Sequence, residues 1–298
     1  MHSLSRDNFP SWDEFKIFLD DNKDLHHHND IIRSLKELIQ KNEKIDAAFL
    51  TGSLSKGKGD IFSDIDITIM IGDNIDASDV KNYIMERISS IGDFIHVFRS
   101  QARSRDLILY FKPFIKLDLE IRKYKQVEKN YKIGHIGSIL FDRKDLGKKA
   151  KEKANLIEFS IQNHLLEIKD AALAIPTFWY LVAAYLSRGE NVTAMDFISW
   201  IRMYYMKICG YVLGMRDEGT RRAEKRYPHE IIEYYFHSCA RTPDQIWDGI
   251  YELIRWYSEW LSPRLAEIGI NHYQEKEIEV LKNAIESIPK NGDKHSLF

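Results

Sequence analysis

Cysteine is almost absent from this sequence. Its two copies, Cys209 and Cys239, lie far apart and make neither a C-x-x-C pair nor a disulfide framework, so two reduced thiols are expected. A basic excess is missing as well: the formal net charge is −2 over 298 residues. Proteins that grip long nucleic acid carry a strong positive balance, so small partners are expected here and nucleic acid is not. No apolar run approaches the ~20 residues that span a bilayer, and the opening MHSLSRDNFPSWDEF lacks the hydrophobic stretch of a signal peptide. A cytoplasmic chain with no membrane partner is the expectation. Repeats and low-complexity tracts are also lacking. What remains is a globular composition, 44% hydrophobic and 30% charged, with length for two domains of ~100–200 residues each.

Hydrophobic periodicity divides the chain. Ser11 opens S-W-D-E, a capping box, and Trp12, Phe15, Phe18 and Leu19 follow at helical spacing. A second helix fits 29–41, with Ile31, Ile32, Leu35, Leu38 and Ile39 on one face. Strands are predicted at 44–51, 63–71, 94–100, 106–111 and 114–121, with a helix over 77–90. Near residue 143 the texture changes to the basic, polar RKDLGKKAKEK. The domain boundary is placed there, giving 1–145 and 146–298. Beyond it the pattern is helical throughout, roughly 153–174, 176–188, 193–214, 228–240, 243–261 and 273–287, with Pro176 and Pro243 read as helix starts. An α/β half is thus followed by an all-α half.

One segment asks for an explanation: LTGSLSKGKGDIFSDIDITIMI, residues 50–71. Strand alternation puts Asp64, Asp66, Thr68 and Met70 on one face and Ile65, Ile67, Ile69 and Ile71 on the other. Two carboxylates in a run built for burial repel each other and lose hydration, so something must compensate them. Residues two apart in a strand are ~6.5 Å apart along the chain. Carboxylates at that spacing can converge on two divalent ions ~3.5–4 Å apart. Mg²⁺ takes oxygen ligands and completes its shell with water and substrate phosphates, which a nucleoside triphosphate supplies. Gly52 admits close backbone approach to a phosphate, the turn's N–H groups can form an anion nest, the Ser53 hydroxyl can donate to a phosphate oxygen, and Lys56 and Lys58 add charge.

Nucleotidyl transfer depends on positioning and charge neutralisation, with a further acid to activate the attacking hydroxyl. FIKLDLEI (114–121) offers it: Lys116, Asp118, Glu120 and Arg122 share a strand face. Asp118 is the candidate and Glu120 its alternative; the competing reading pairs these acids with Lys116 and Arg122. GSLSKGKG (52–59) nearly satisfies the P-loop pattern G-x-x-x-x-G-K-[ST], but Gly59 stands where the hydroxyl belongs and a β-branched strand follows where a helix is required. His26, His27 and His28 diverge on a helix or turn and are not read as a metal site. Trp179, Tyr180, Trp200, Tyr204, Tyr205, Trp247, Trp256 and Trp260 are read as mostly core. Arg221, Arg222, Lys225 and Arg226 form a basic cluster, read as a solvated face or a triphosphate contact.

Gly52-Ser53, ten intervening residues, Asp64-x-Asp66 and the later acidic strand resemble the nucleotidyltransferase superfamily that includes DNA polymerase beta. Within it the segment is most similar to the antibiotic nucleotidyltransferases of aminoglycosides and lincosamides. The resemblance covers about residues 45–121. It implies an α+β protein: a nucleotidyltransferase fold of mixed β-sheet with helices, then an all-α substrate-binding bundle, with the acceptor between them. It further implies that Ser53 binds the triphosphate, that Asp64 and Asp66 hold Mg²⁺, and that Asp118 is the third carboxylate. The expected reaction moves AMP from ATP onto a hydroxyl of a small molecule, an aminoglycoside first and a lincosamide second. Two other readings stand beside it. One is a toxin–antitoxin type of transferase acting on protein or RNA. The other is a non-catalytic nucleotide-binding module, against which the full complement of acids argues.

Overall fold

The computed structural model describes residues 6–21, 25–98 and 106–290, and the chain falls into two compact units, Met1–Glu158 and Phe159–Phe298. The first unit opens with α1 (Trp12–Asp21) and α2 (His26–Gln40). The capping box forms: the Ser11 N–H donates to Glu14 Oε2 at 2.8 Å and the Glu14 N–H donates back to Ser11 Oγ at 3.3 Å. Then come β1 (Ile45–Thr51), the single turn α3 (Gly52–Ser55), β2 (Ile65–Ile71), α4 (Ala77–Glu86), β3 (Phe94–Phe98), β4 (Asp106–Phe111) and β5 (Ile115–Lys123). The unit closes with α5 (Tyr124–Val127), α6 (Tyr131–His135), β6 (Ser138–Asp142) and α7 (Leu146–Asn155). The last two positions of the strand expected at 94–100 lie outside the described residues.

The six strands form one mixed sheet in the order β3-β4-β5-β2-β1-β6. β2 and β5 run parallel at its centre, and the other pairings are antiparallel. The period-2 pattern decides what each face does. Ile65, Ile67, Ile69 and Ile71 are buried with Leu117, Leu119 and Ile121 in one core, closed by Leu35 and Ile39 of α2 and Ile84 of α4. On the other face Met70 packs with Ala47, Phe49, Val127, Ile133 and Ala150 under α5, α6 and α7. The same face carries Asp64 and Asp66 toward the opposite end of β2, where both are half-buried.

The basic stretch after residue 143 folds into α7, whose small residues Gly147, Ala150 and Ala154 are buried. A Cβ on Gly147 would stand 2.7 Å from the Ala47 Cβ, so glycine is what lets the helix approach β1. Asp142 anchors its start, Oδ1 accepting from the Gly147 N–H at 2.7 Å and Oδ2 from the Lys148 N–H at 2.8 Å.

The second unit is helical: α8 (Leu165–Ser187), α9 (Asn191–Val212), α10 (Ala223–Arg226), α11 (His229–His237), α12 (Pro243–Trp256), α13 (Ser262–Glu267) and α14 (Glu275–Glu286), with a π-turn at Tyr257–Leu261. Trp179, Tyr205, Trp247, Trp256 and Trp260 are buried in its core, whereas Tyr180 and Trp200 are exposed. Pro243 starts a helix as expected. Pro176 does not: it is buried within the unbroken α8. Proline there removes the N–H that would bond the Ala172 carbonyl. The Tyr257 hydroxyl donates to that carbonyl at 2.9 Å and replaces the lost bond. The expectation that no apolar run nears membrane length also needs correcting, since Ile161–Ser187 has the length and a mean hydropathy of 1.2. In the fold Ile168, Ala172, Ile175, Trp179 and Val182 of that segment are core residues. Cys209 is buried and Cys239 exposed, both unbonded to another sulfur.

Candidate active site

The parallel pairing of β2 with β5 sets the acids. Asp66 stands opposite Asp118 and Thr68 opposite Glu120. Asp64 lies just ahead of β2. Between Asp64 and Asp118 sits the ammonium of Lys116, donating to Asp64 Oδ2 at 3.0 Å and to Asp118 Oδ2 at 2.9 Å. The three side chains keep only 26%, 26% and 31% of their surface exposed for Lys116, Asp64 and Asp118, so water screens the pair weakly yet a solute can reach it. Burial alone would lower the Lys116 pKa. The hydrogen bonds to Asp118 and Asp64 outweigh it and hold the ammonium above the ordinary lysine value. Glu120 pairs instead with Arg122, at 3.4 Å.

Gly52 proves to serve a carboxylate. It follows β1 at φ +74°, opening α3, and a Cβ there would stand 2.1 Å from Asp66 Oδ2. The space that glycine leaves is therefore taken by Asp66, whose backbone carbonyl also accepts from Thr51 Oγ1 at 3.4 Å. Ser53 is half-buried in α3 and Lys56 is exposed at its end. The Lys56 and Lys58 N–H groups donate to the Ser53 carbonyl, at 3.2 and 3.0 Å, and the Gly57 N–H donates to the Leu54 carbonyl at 3.2 Å. These three N–H groups are thus bonded within the turn that follows Ser53.

The loop before Asp64 is fixed by side chains that sequence reading did not single out. Asp60 Oδ1 accepts from the Phe62 N–H at 3.0 Å and from Ser63 Oγ at 3.1 Å. His28, on α2, donates from Nε2 to the Ser63 carbonyl at 3.0 Å, which ties that helix to the residue preceding Asp64. Burial lowers the His28 pKa, and Nδ1 is buried without a hydrogen-bond partner. A hydrophobic period in α2 signals the buried face but not this contact, which joins residues 35 apart in sequence. Beside Asp64 and Lys116 opens a cavity of about 210 Å³ walled by Phe15, Phe18, Phe62 and Phe114.

Whether these residues suit Mg²⁺ turns on donor type and on what they already hold. As arranged, no group of three or more His, Cys, Asp or Glu side chains among the described residues is gathered closely enough to hold a metal ion. Two of the acids are instead gathered on a cation, the Lys116 ammonium. Asp118 Oδ1 is buried with no hydrogen-bond partner, an anionic oxygen that lacks a counterpart. Carboxylate oxygens, one orphaned and two already bound to a positive charge, fit a hard divalent cation.

Part of the chain matches a known family. Residues 33–127 match the family Polymerase beta, Nucleotidyltransferase. The match runs from α2 through α5 and includes Gly52, Asp64, Asp66, Lys116 and Asp118. Residues 33–127 of the first unit therefore form a nucleotidyltransferase domain of the polymerase beta type. No curated protein matches the sequence. Among solved structures the chain is similar to an aminoglycoside 6-adenyltransferase from Bacillus subtilis, with 13% identity over 87% of this chain and 96% of that one and a TM-score of 0.39. It is similar to a spectinomycin adenyltransferase from Enterococcus faecialis solved with ATP and spectinomycin, with 12% identity over 87% and 99% of the chains and a TM-score of 0.34. A toxin–antitoxin structure with AMP-PNP matches at 19% identity over 48% and 92%, with a TM-score of 0.27.

Proposed function

We propose that the protein transfers a nucleoside monophosphate, AMP from ATP, onto a hydroxyl of a small molecule, with an aminoglycoside as the first acceptor class. The observation that carries this reading is the register that sets Asp66 beside Asp118, with one ammonium gathering Asp64 and Asp118. Asp64, Asp66 and Asp118 would hold Mg²⁺, which when bound supplies positive charge for the triphosphate. The Ser53 hydroxyl donates to a phosphate oxygen. Asp118 takes the proton from the acceptor hydroxyl as its oxygen bonds to the α-phosphorus and the bond to pyrophosphate breaks. Glu120, turned toward Arg122, is the second candidate for that proton. The helical second unit is the proposed acceptor-binding domain.

One feature favours a second acceptor class. The phenylalanine-walled cavity beside Asp64 suits an acceptor with an apolar limb, as a lincosamide has, better than a polycation. The test uses ATP, Mg²⁺ and a panel of aminoglycosides and lincosamides with the wild type and with Asp66→Asn, which keeps the side-chain shape and removes the charge. Pyrophosphate release should fall by at least about 100-fold in the variant. Equal release by both proteins rejects the mechanism.

A further inference from the structure

We propose that Lys116 is a resident counter-cation, holding Asp64 and Asp118 together while no divalent ion is bound and giving way when one enters. The proposal rests on the reading of Asp64, Asp66 and Asp118 as the metal-binding acids. Its basis is the pair of bonds from a single ammonium, 3.0 Å to Asp64 and 2.9 Å to Asp118. Asp64 comes from the loop ahead of β2 and Asp118 from the middle of β5, so the lysine joins two chain segments. Without a cation, Asp64, Asp66 and Asp118 would repel one another in a half-buried setting. The ammonium offsets one of these charges and holds Asp64 and Asp118 on a single positive point.

An ordinary structural salt bridge would show the same two distances, but two further features separate the cases. Asp118 Oδ1 remains buried and unbonded although Oδ2 is satisfied, so the lysine completes only part of what the site can bind. Lys116 also forms part of the wall of the 210 Å³ cavity, so its side chain borders open space into which it can withdraw. A divalent ion and the ammonium would compete for the same two oxygens. Metal affinity measured on the free protein is then lower than the acids alone would give, and the difference is the work of moving Lys116.

The experiment is a Mn²⁺ titration without nucleotide, by calorimetry or electron paramagnetic resonance, on wild type, Lys116→Met, Lys116→Gln and Asp64→Asn. Removing the competing charge should tighten Mn²⁺ binding by at least about tenfold in both lysine variants, the scale of one charge-assisted contact. In EDTA both should melt below wild type, and Mn²⁺ should raise their melting temperature by more than it raises that of wild type. Asp64→Asn should weaken Mn²⁺ binding. If wild type binds Mn²⁺ as tightly as both lysine variants while Asp64→Asn binds it poorly, the counter-cation role is overturned and the metal site stands. If neither wild type nor any variant binds Mn²⁺, the reading of the acids as metal ligands falls with it.

Discussion

Adding one methyl group at Gly52 is a sharp test of how the site is built. The new Cβ would lie 2.1 Å from Asp66 Oδ2, against the 3.4–4 Å of ordinary contact. The carboxylate would have to retreat by about 1 Å or more, and a misplacement of that size at reacting groups costs about 100-fold in rate. Alanine at φ +74° also carries backbone strain of about 1–2 kcal/mol. Gly57 supplies the control: its φ is +62°, and nothing lies within 4 Å of a Cβ built there. Gly57→Ala should show the strain alone, a loss of about 1–2 kcal/mol in urea unfolding, with nucleotidyl transfer close to wild type. Gly52→Ala should lose a similar or larger amount of stability and, in addition, about 100-fold of its pyrophosphate release. Transfer by Gly52→Ala at the wild-type rate would refute the claim that glycine is there to make room for Asp66.

Two further outcomes follow from contacts away from the acids. Tyr257→Phe strips the donor from the buried Ala172 carbonyl and should cost about 1–3 kcal/mol in chemical denaturation; the cost should shrink in a Pro176→Ala background, where the helix regains its own N–H at that position. An undiminished cost in the double-mutant cycle would show that the hydroxyl does not substitute for the missing helix bond. Glu14 is held at about 2, below its ordinary 4.5, by the Lys112 hydrogen bond first and by those of Ser11 next. Its contribution is thus fully present above pH 4.5 and fades as pH falls toward 2. In Lys112→Met the Glu14 carboxyl should titrate closer to its ordinary value by carbon-13 NMR, and an unmoved titration would place the cause elsewhere.

Much of the nucleotidyltransferase domain was legible because the chain writes it in period 2. Alternation in 63–71 separates the isoleucines from Asp64 and Asp66, and the two faces do bury different cores. The same alternation in 114–121 brought Asp118 forward as the third acid, and the sheet places it beside Asp66. Both pairings weighed against a metal role, Lys116 with Asp118 and Arg122 with Glu120, are present in the fold. The role of Lys116 toward Asp64 was out of reach, because it depends on which strand neighbours β2 and in which direction. β6 escaped notice because its residues, half-buried or exposed at the sheet edge, carry no alternation. Pro176 misled for a stated reason: proline ordinarily ends a helix, and only a tyrosine 81 positions later supplies the bond it removes.

The parallel contact of β2 with β5 has a consequence for how the enzyme comes into being. Neighbouring strands that run the same way cannot be joined by a tight turn, and here the excursion through α4, β3 and β4 intervenes. Newly made chain that has passed Asp66 holds the recognisable D-x-D signature and still lacks its opposing acid and its lysine. Asp66 therefore meets Asp118, and Asp64 meets the Lys116 ammonium, only where β5 lies between β2 and β4.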